Sequence, residues 1–319
     1  VRYAKPQSLD DAFALLSEGR WRILAGGTDF YPALGARPLR DDVLDINGLA
    51  ELRGIAETAT HLTIGARTTW TDIVRADLPP ALDALKAAAR EVGSIQIQNA
   101  GTVAGNICNA SPAADGVPAL LILDAEVEIA SAAGYRIEPL ETFIRGNRQT
   151  ALASGELVTA IRLPKSSLGG RSSFYKLGAR RYLVISIAMA AARLTIHDSG
   201  AVAEAAVAVG ACSAVAKRLR MLERALAGCP ASAMGDVVQA DHFDELSPID
   251  DVRGRDPIGS ASTISGAFPD GDRAFRRRPT PVIVPPVPAP ATKAPTRPPH
   301  CSKISGPVPD SCARTFAGF

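Results

Sequence analysis

Cysteine and histidine are scarce in this sequence. Five cysteines (Cys108, Cys212, Cys229, Cys301, Cys312) and four histidines (His61, His197, His242, His300) are spread over 319 residues. No two cysteines form a CxxC pair and their number is odd, which argues against a disulfide framework and against a zinc or iron–sulfur site built within the chain. The histidines lack zinc-ligand spacing and are expected as ordinary surface or core residues. Aromatic residues make up only 5% of the chain, so alanine and small aliphatics must fill its cores. The longest apolar stretches, 118–123 and 183–192, fall far short of the ~20 residues of a membrane-spanning helix. The opening Val1-Arg2-Tyr3-Ala4-Lys5-Pro6 has no apolar signal region, and a cytoplasmic chain is expected. Nucleophile elbow, metal cluster and paired carboxylates are all missing, so neither a catalytic residue nor a metal ligand is expected. Charge of one sign is lacking too. The net charge of +2 divides into +5 over residues 255–319, with nine Lys/Arg against four Asp/Glu, and −3 over residues 1–254. The body carries no basic stripe with interleaved aromatics, which disfavours nucleic-acid binding.

What the chain does contain reads as two or three packed units. Ser8-Leu9-Asp10-Asp11 opens a helix over about 9–18, stopped by Gly19. Strands are expected at 21–25, 42–46, 61–66, 121–129 and 155–164. Thr69-Trp70-Thr71-Asp72 caps one helix, and Pro79-Pro80 begins a long alanine-rich helix to about Val92. Residues 96–115 show little periodicity and read as a long binding loop. Residues 165–171 form a polar linker. Strands with a buried alanine-rich helix are expected from Phe174 to Val209, then a helix over 214–226 with its basic residues outward. Thirteen of the 24 prolines fall in 255–319, a composition expected to stay disordered.

Two glycine-bearing loops carry the chemistry. Ala25-Gly26-Gly27-Thr28-Asp29 follows a strand directly. Its glycines let the backbone approach a phosphate and adopt positive φ, its successive amides form an anion-holding nest, and Thr28 adds a hydroxyl. It is neither GxGxxG nor a P-loop, and an ordinary turn with a Thr/Asp helix cap is the plainer account. The second loop runs from Asn99 through Gly101-Thr102-Val103-Ala104-Gly105-Asn106 and Ser111 to Asp115. Small residues admit a bulky cofactor, amides meet its pyrophosphate, and Asp115 accepts from ribose or ribityl hydroxyls. A solvated loop is the alternative, which its length and near-absence of charge disfavour.

With these loops, Asp45-Ile46, Leu49-Ala50-Glu51-Leu52-Arg53-Gly54-Ile55, Ile64-Gly65-Ala66, Thr68-Thr69 and Phe174-Tyr175-Lys176, the sequence resembles the FAD-binding, or medium, subunit of the xanthine dehydrogenase and carbon monoxide dehydrogenase family of molybdenum hydroxylases. The likeness covers roughly residues 3–254. It implies an α+β FAD-binding fold of the vanillyl-alcohol-oxidase (PCMH) type. Two small subdomains, 1–55 and 56–165, would precede a C-terminal antiparallel-sheet domain over 172–254. It implies that Ile23, Leu24, Ala25, Gly26, Gly27, Thr28 and Asp29, together with Gly101, Thr102, Val103, Ala104 and Gly105, hold the pyrophosphate of a non-covalently bound FAD. Asn106 and Ser111 continue the binding loop. Asp115 would take sugar hydroxyls, and Leu157, Phe174 and Lys176 would lie near the rest of the cofactor. The implied partners are a large molybdopterin-binding subunit that oxidises the substrate and a small subunit with two [2Fe–2S] clusters. Electrons would leave to NAD+, oxygen or another acceptor. A cofactor carries such redox chemistry, so this chain needs only to place it.

The likeness ends at Ser247-Pro248-Ile249-Asp250-Asp251-Val252-Arg253-Gly254, where relatives continue into a helix and this chain turns proline-rich. A frameshift near residue 254 is the simplest account, and a genuine fused linker the rival. Two other functions compete with the flavin-subunit reading: a stand-alone FAD oxidoreductase, for which no acid or base candidate is found, and a scaffold that has lost FAD, against which both intact loops weigh.

Overall fold

The computed structural model describes residues 1–180 and 183–248. The proline-rich stretch 255–319, with its expected disorder, lies outside them.

Three main sheets follow one another along the chain. The first contains β1 (Tyr3–Ala4), β2 (Trp21–Leu24) and β3 (Asp42–Asp45) in the order β1-β3-β2, with both pairings parallel. Parallel strands need a crossover. Helix α1 (Leu9–Ser17) lies in the connection between β1 and β2. Its N-cap Ser8 accepts from the Asp11 amide, and Asp10 and Asp11 sit in the first turn, where the helix dipole favours negative charge. Ala12, Phe13 and Leu16 turn one face inward onto Leu44, Ile46, Leu49 and Leu52.

The second sheet is antiparallel, in the order β4 (Ile55–Glu57), β5 (His61–Gly65), β10 (Leu157–Pro164), β6 (Glu126–Ser131), β7 (Gly134–Pro139). Between β5 and β6 run five helices: α2 (Trp70–Arg75), α3 (Asp83–Glu91), α4 (Ile95–Ala100), α5 (Val103–Asn109) and α6 (Gly116–Leu121). Between β7 and β10 lie α7 (Leu140–Phe143) and a hairpin of β8 (Ile144–Gly146) and β9 (Gln149–Thr150). Leu62 and Ile64, alternating along β5, share the largest core with Trp70, Ile73, Leu82 and Leu85. Thr69 caps α2 in a reciprocal box with Asp72.

The third sheet, β11 (Arg171–Leu177), β12 (Ala188–Ile196), β13 (Val202–Gly210) and β14 (Lys217–Arg218), is antiparallel in chain order. Met189, Ala191, Ala206 and Ala208 join the core shared with α3 and α6. Ala188, Ala190, Val207 and Val209 face α8 (Arg220–Leu226), Phe243 and the region of the short α9 (Met234–Val237).

Four expectations are corrected here. Residues 96–115 are not one loop, because Ser94 and Thr102 cap the short helices α4 and α5. Helices of six and seven residues are too short to show a periodic stripe. Residues 121–125 turn before β6, with Asp124 at φ 49°. The alanine-rich run at 188–192 is a strand. It is buried on both faces, so its apolar residues run continuously instead of alternating. The helix expected over 214–226 begins only at Arg220, after the strand that holds Lys217 and Arg218. Arg218 is buried, not outward.

Two buried arginines tie the third sheet to the end of α6. Arg193 Nε donates to the Ile122 carbonyl at 3.0 Å. Arg218 Nη1 donates to the Leu121 carbonyl and to Asp124 Oδ1, each at 2.8 Å, while its Nε meets Glu223 at 2.5 Å. Ser167, in the expected linker, donates to the other Asp124 oxygen at 2.7 Å.

Candidate functional site

The two glycine loops meet. β2 carries Ile23 and Leu24 and runs into Ala25, whose carbonyl accepts from Asn47 Nδ2 at 2.8 Å. Gly26 lies so close to the second loop that an added Cβ would overlap the Ala100 carbonyl and come within 3.0 Å of Gly101 Cα. A Cβ on Gly101 would in turn sit 3.4 Å from Thr28 Oγ1. Only glycine permits this approach of backbone to backbone. Gly27 supplies the turn, with φ 74° and the Tyr31 ring packed across it. The amides of Gly26, Gly27, Thr28 and Asp29 have no protein acceptor among the described residues. Asp29 is exposed, and its carbonyl accepts from Ala33.

On the facing side, Thr102 caps α5 by accepting from the Gly105 amide at 3.0 Å. A Cβ on Gly105 would fall 2.7 Å from that hydroxyl. Val103 and Ala104 are buried packing residues. Among the described residues Asn106 Oδ1 is buried without a partner, which is unusual for a native side chain. Trp70 stands between the loops' ends: its amide donates to the Gly101 carbonyl at 3.1 Å, and its ring covers Gly116. Ser111 Oγ accepts from the Ala113 amide.

Asp115 stands at the N-cap of α6. Its side chain is buried beside Lys176 of β11, whose Nζ reaches Oδ2 at 2.7 Å and also the Glu91 carbonyl at 3.3 Å. Ser186 Oγ donates to Oδ1 at 2.5 Å. Burial pushes the Asp115 carboxyl above its ordinary value, partly offset by the Lys176 charge and by hydrogen bonds from Lys176 and Ser186. Burial alone pushes the nearby Cys108 thiol up to about 12, so it is not a thiolate at neutral pH.

Of the remaining expected residues, Phe174 is buried in the main core and Leu157 in the cluster beneath the first sheet, beside Ile23 and Ala25. Three site residues escaped the sequence reading. Trp70 and Ser186 gave no signal, whereas Asn47 sits in Asp45-Ile46-Asn47 at a strand end, a common turn-forming pattern.

A mixed α and β fold with two apposed glycine loops, free amides and a buried orphan acceptor suits a ligand bearing phosphate groups and many hydrogen-bonding groups. These are the features of a cofactor-binding protein whose ligand is a dinucleotide. The donor set fits FAD: anion-holding amides, side-chain amides and hydroxyls, and a carboxylate. Residues 1–166 match the FAD-binding domain in molybdopterin dehydrogenase, and residues 173–257 match the carbon monoxide dehydrogenase flavoprotein C-terminal domain. The nicotinate dehydrogenase FAD-subunit of Eubacterium barkeri is 34% identical, over 70% of this chain and 79% of that protein. The xanthine dehydrogenase FAD-binding subunit of Escherichia coli O157:H7 is 34% identical, over 72% and 80%. A solved carbon monoxide dehydrogenase from Hydrogenophaga pseudoflava, lacking the Mo-pyranopterin moiety of its molybdenum cofactor, superposes with TM-score 0.74 at 25% identity, covering 86% of this chain and 97% of that one. The chain belongs to the FAD-binding subunits of the molybdenum hydroxylase family, and is an oxidoreductase subunit. No helix among the described residues is long and apolar enough to cross a membrane.

Proposed function

We propose that this chain places FAD as the electron-transfer subunit of a multi-subunit molybdenum hydroxylase. Electrons arrive from the [2Fe–2S] clusters of a small partner subunit and leave to NAD+, oxygen or another acceptor, while substrate is oxidised in a large molybdopterin-binding subunit. The observation that carries this reading is the meeting of the two glycine loops at Gly26 and Gly101, with the amides of residues 26–29 left without an acceptor among the described residues. Residues 23–29 and 101–105 hold the pyrophosphate between them. Asn106 and Ser111 extend the same wall. Each oxygen of Asp115 keeps a lone pair for a sugar hydroxyl beyond the bond it already accepts. Lys176 holds that carboxylate in place and brings a buried positive charge to the site. Leu157 and Phe174 back these groups from the core. Bound there, FAD would supply the redox chemistry that links the clusters to the acceptor.

Co-expression with the neighbouring open reading frames tests the assignment. The expected result is a yellow complex that retains a molybdopterin subunit and a [2Fe–2S] subunit, whose flavin absorbance bleaches under anaerobic NADH if NAD+ is the acceptor. A chain that binds FAD but purifies alone, and turns over a small substrate by itself, would replace this reading with the stand-alone oxidoreductase.

A further inference from the structure

Beyond the glycine loops, on the side of the first sheet where Arg22 emerges, the segment after Phe30 encloses an open cleft. Its volume is about 430 Å³, and Arg22, Arg37, Arg40 and Asp41 line it with Ala33, Leu34 and Pro38. That falls within the ~300–1,000 Å³ of small-ligand sites. Three arginines and a single carboxylate are among the residues that line it. Arg22 meets Asp41 only loosely, at 3.7 Å. Its guanidinium is steadied from below, stacked 4.4 Å over the Phe30 ring with Nη2 on the Phe30 carbonyl at 3.4 Å. Arg37 donates to the carbonyls of its own turn, Ala33 and Leu34, and forms no ion pair among the described residues. Arg40 forms none either. Leu34 of its wall packs in a small apolar cluster with Leu24, Phe30, Val43 and Leu39. The cleft therefore combines surplus positive charge with an apolar wall. Like charges gathered in a concavity focus field and favour an anion, and guanidinium forks match phosphate oxygens in pairs.

We propose that this cleft binds an organic phosphate of nucleotide size, with Arg22, Arg37 and Arg40 on its phosphates and the Ala33, Leu34 and Pro38 wall against its organic part. This goes beyond the flavin reading. The ligand is a free nucleotide and not FAD, whose pyrophosphate that reading assigns to the glycine loops, and the test separates the two.

The probe is ADP, titrated calorimetrically into the full chain in its FAD-loaded and FAD-stripped forms, for wild type and R37Q/R40Q. Both arginines are exposed, so the double variant is expected to fold, as far-UV circular dichroism checks. Each lost charge-assisted contact is worth roughly tenfold, so ADP affinity should fall about a hundredfold in R37Q/R40Q. It should also weaken with added salt, as an open charged site does. Binding to the FAD-loaded form marks a separate nucleotide site. Binding only to the stripped form would place ADP in the FAD site and overturn the proposal. No ADP binding to either form, or equal affinity in wild type and R37Q/R40Q, overturns the proposal. A wild-type chain that takes up FAD but fails the ADP arms loses this site alone, whereas a chain that takes up no flavin fails the earlier reading.

Discussion

Lys176→Met breaks the buried pair with Asp115 while keeping the length of the side chain. The two side chains are each 8% exposed, so the carboxylate left behind is largely shielded from water. Removing one member of such a pair typically costs about 3–5 kcal/mol. The cost depends on pH, and its sign follows from the direction of the Asp115 shift. Burial already holds that carboxyl above its ordinary value in the folded protein. A group shifted this way favours folding below its unfolded value and loses that contribution as pH rises through the folded one. Lys176 is what restrains the shift, through its charge and its hydrogen bond. Without it the folded value climbs, and the loss continues to higher pH. Each pH unit up to the new value adds about 1.4 kcal/mol, so K176M should lose much more stability at pH 8 than at pH 5. Urea denaturation of the FAD-stripped full chain across that range measures it. The double variant D115N/K176M removes the charge altogether, so it should recover most of the loss and flatten the pH profile relative to K176M. A penalty equal at pH 5 and pH 8, or a double variant no better than K176M, would refute the reasoning.

Three further outcomes are expected. Gly26→Val and Gly105→Val should each abolish flavin binding in a titration of the stripped chain, the first by striking the Ala100 carbonyl and the second by striking the Thr102 cap; unchanged affinity in both would move the site elsewhere. Asp115→Ala should weaken FAD binding by about 1–3 kcal/mol, read in the same titration. Acid precipitation should leave the yellow colour in the supernatant, since neither glycine loop contains a histidine and the Cys108 thiol is protonated at neutral pH; colour retained in the pellet would reject non-covalent binding.

The first glycine loop was legible because tight turns constrain sequence locally: Gly27, at φ 74°, leaves little choice of residue. Even so, the reason for Gly26 was not readable. Its φ is ordinary, the positive φ belongs to Gly27, and Gly26 is required by the backbone of a loop some 75 residues later. Helix α1 and the capping box at Thr69 were equally local, and so equally plain. Where burial on both faces erased the alternation, as at Ala188–Ile196, alanine's helix propensity misled. Helices α4 and α5 were hidden by shortness. Ser186 and Arg218 looked unremarkable in sequence because their roles come from partners 71 and 94 residues away, Asp115 and Asp124.

The grip of Arg193 and Arg218 on the carbonyls that end α6 bears on how the protein comes apart. Asp115 begins that helix, and the third sheet secures its far end. A fragment cut after β10 would leave the Leu121 and Ile122 carbonyls without their guanidinium donors and strip Lys176 from Asp115. Such a fragment should be loosened around Asp115 and the helix it begins. Amide hydrogens of α6 and of β12 and β13 should then exchange through one shared opening event. Flavin added to the intact chain should slow exchange in the third sheet although no glycine loop lies within it.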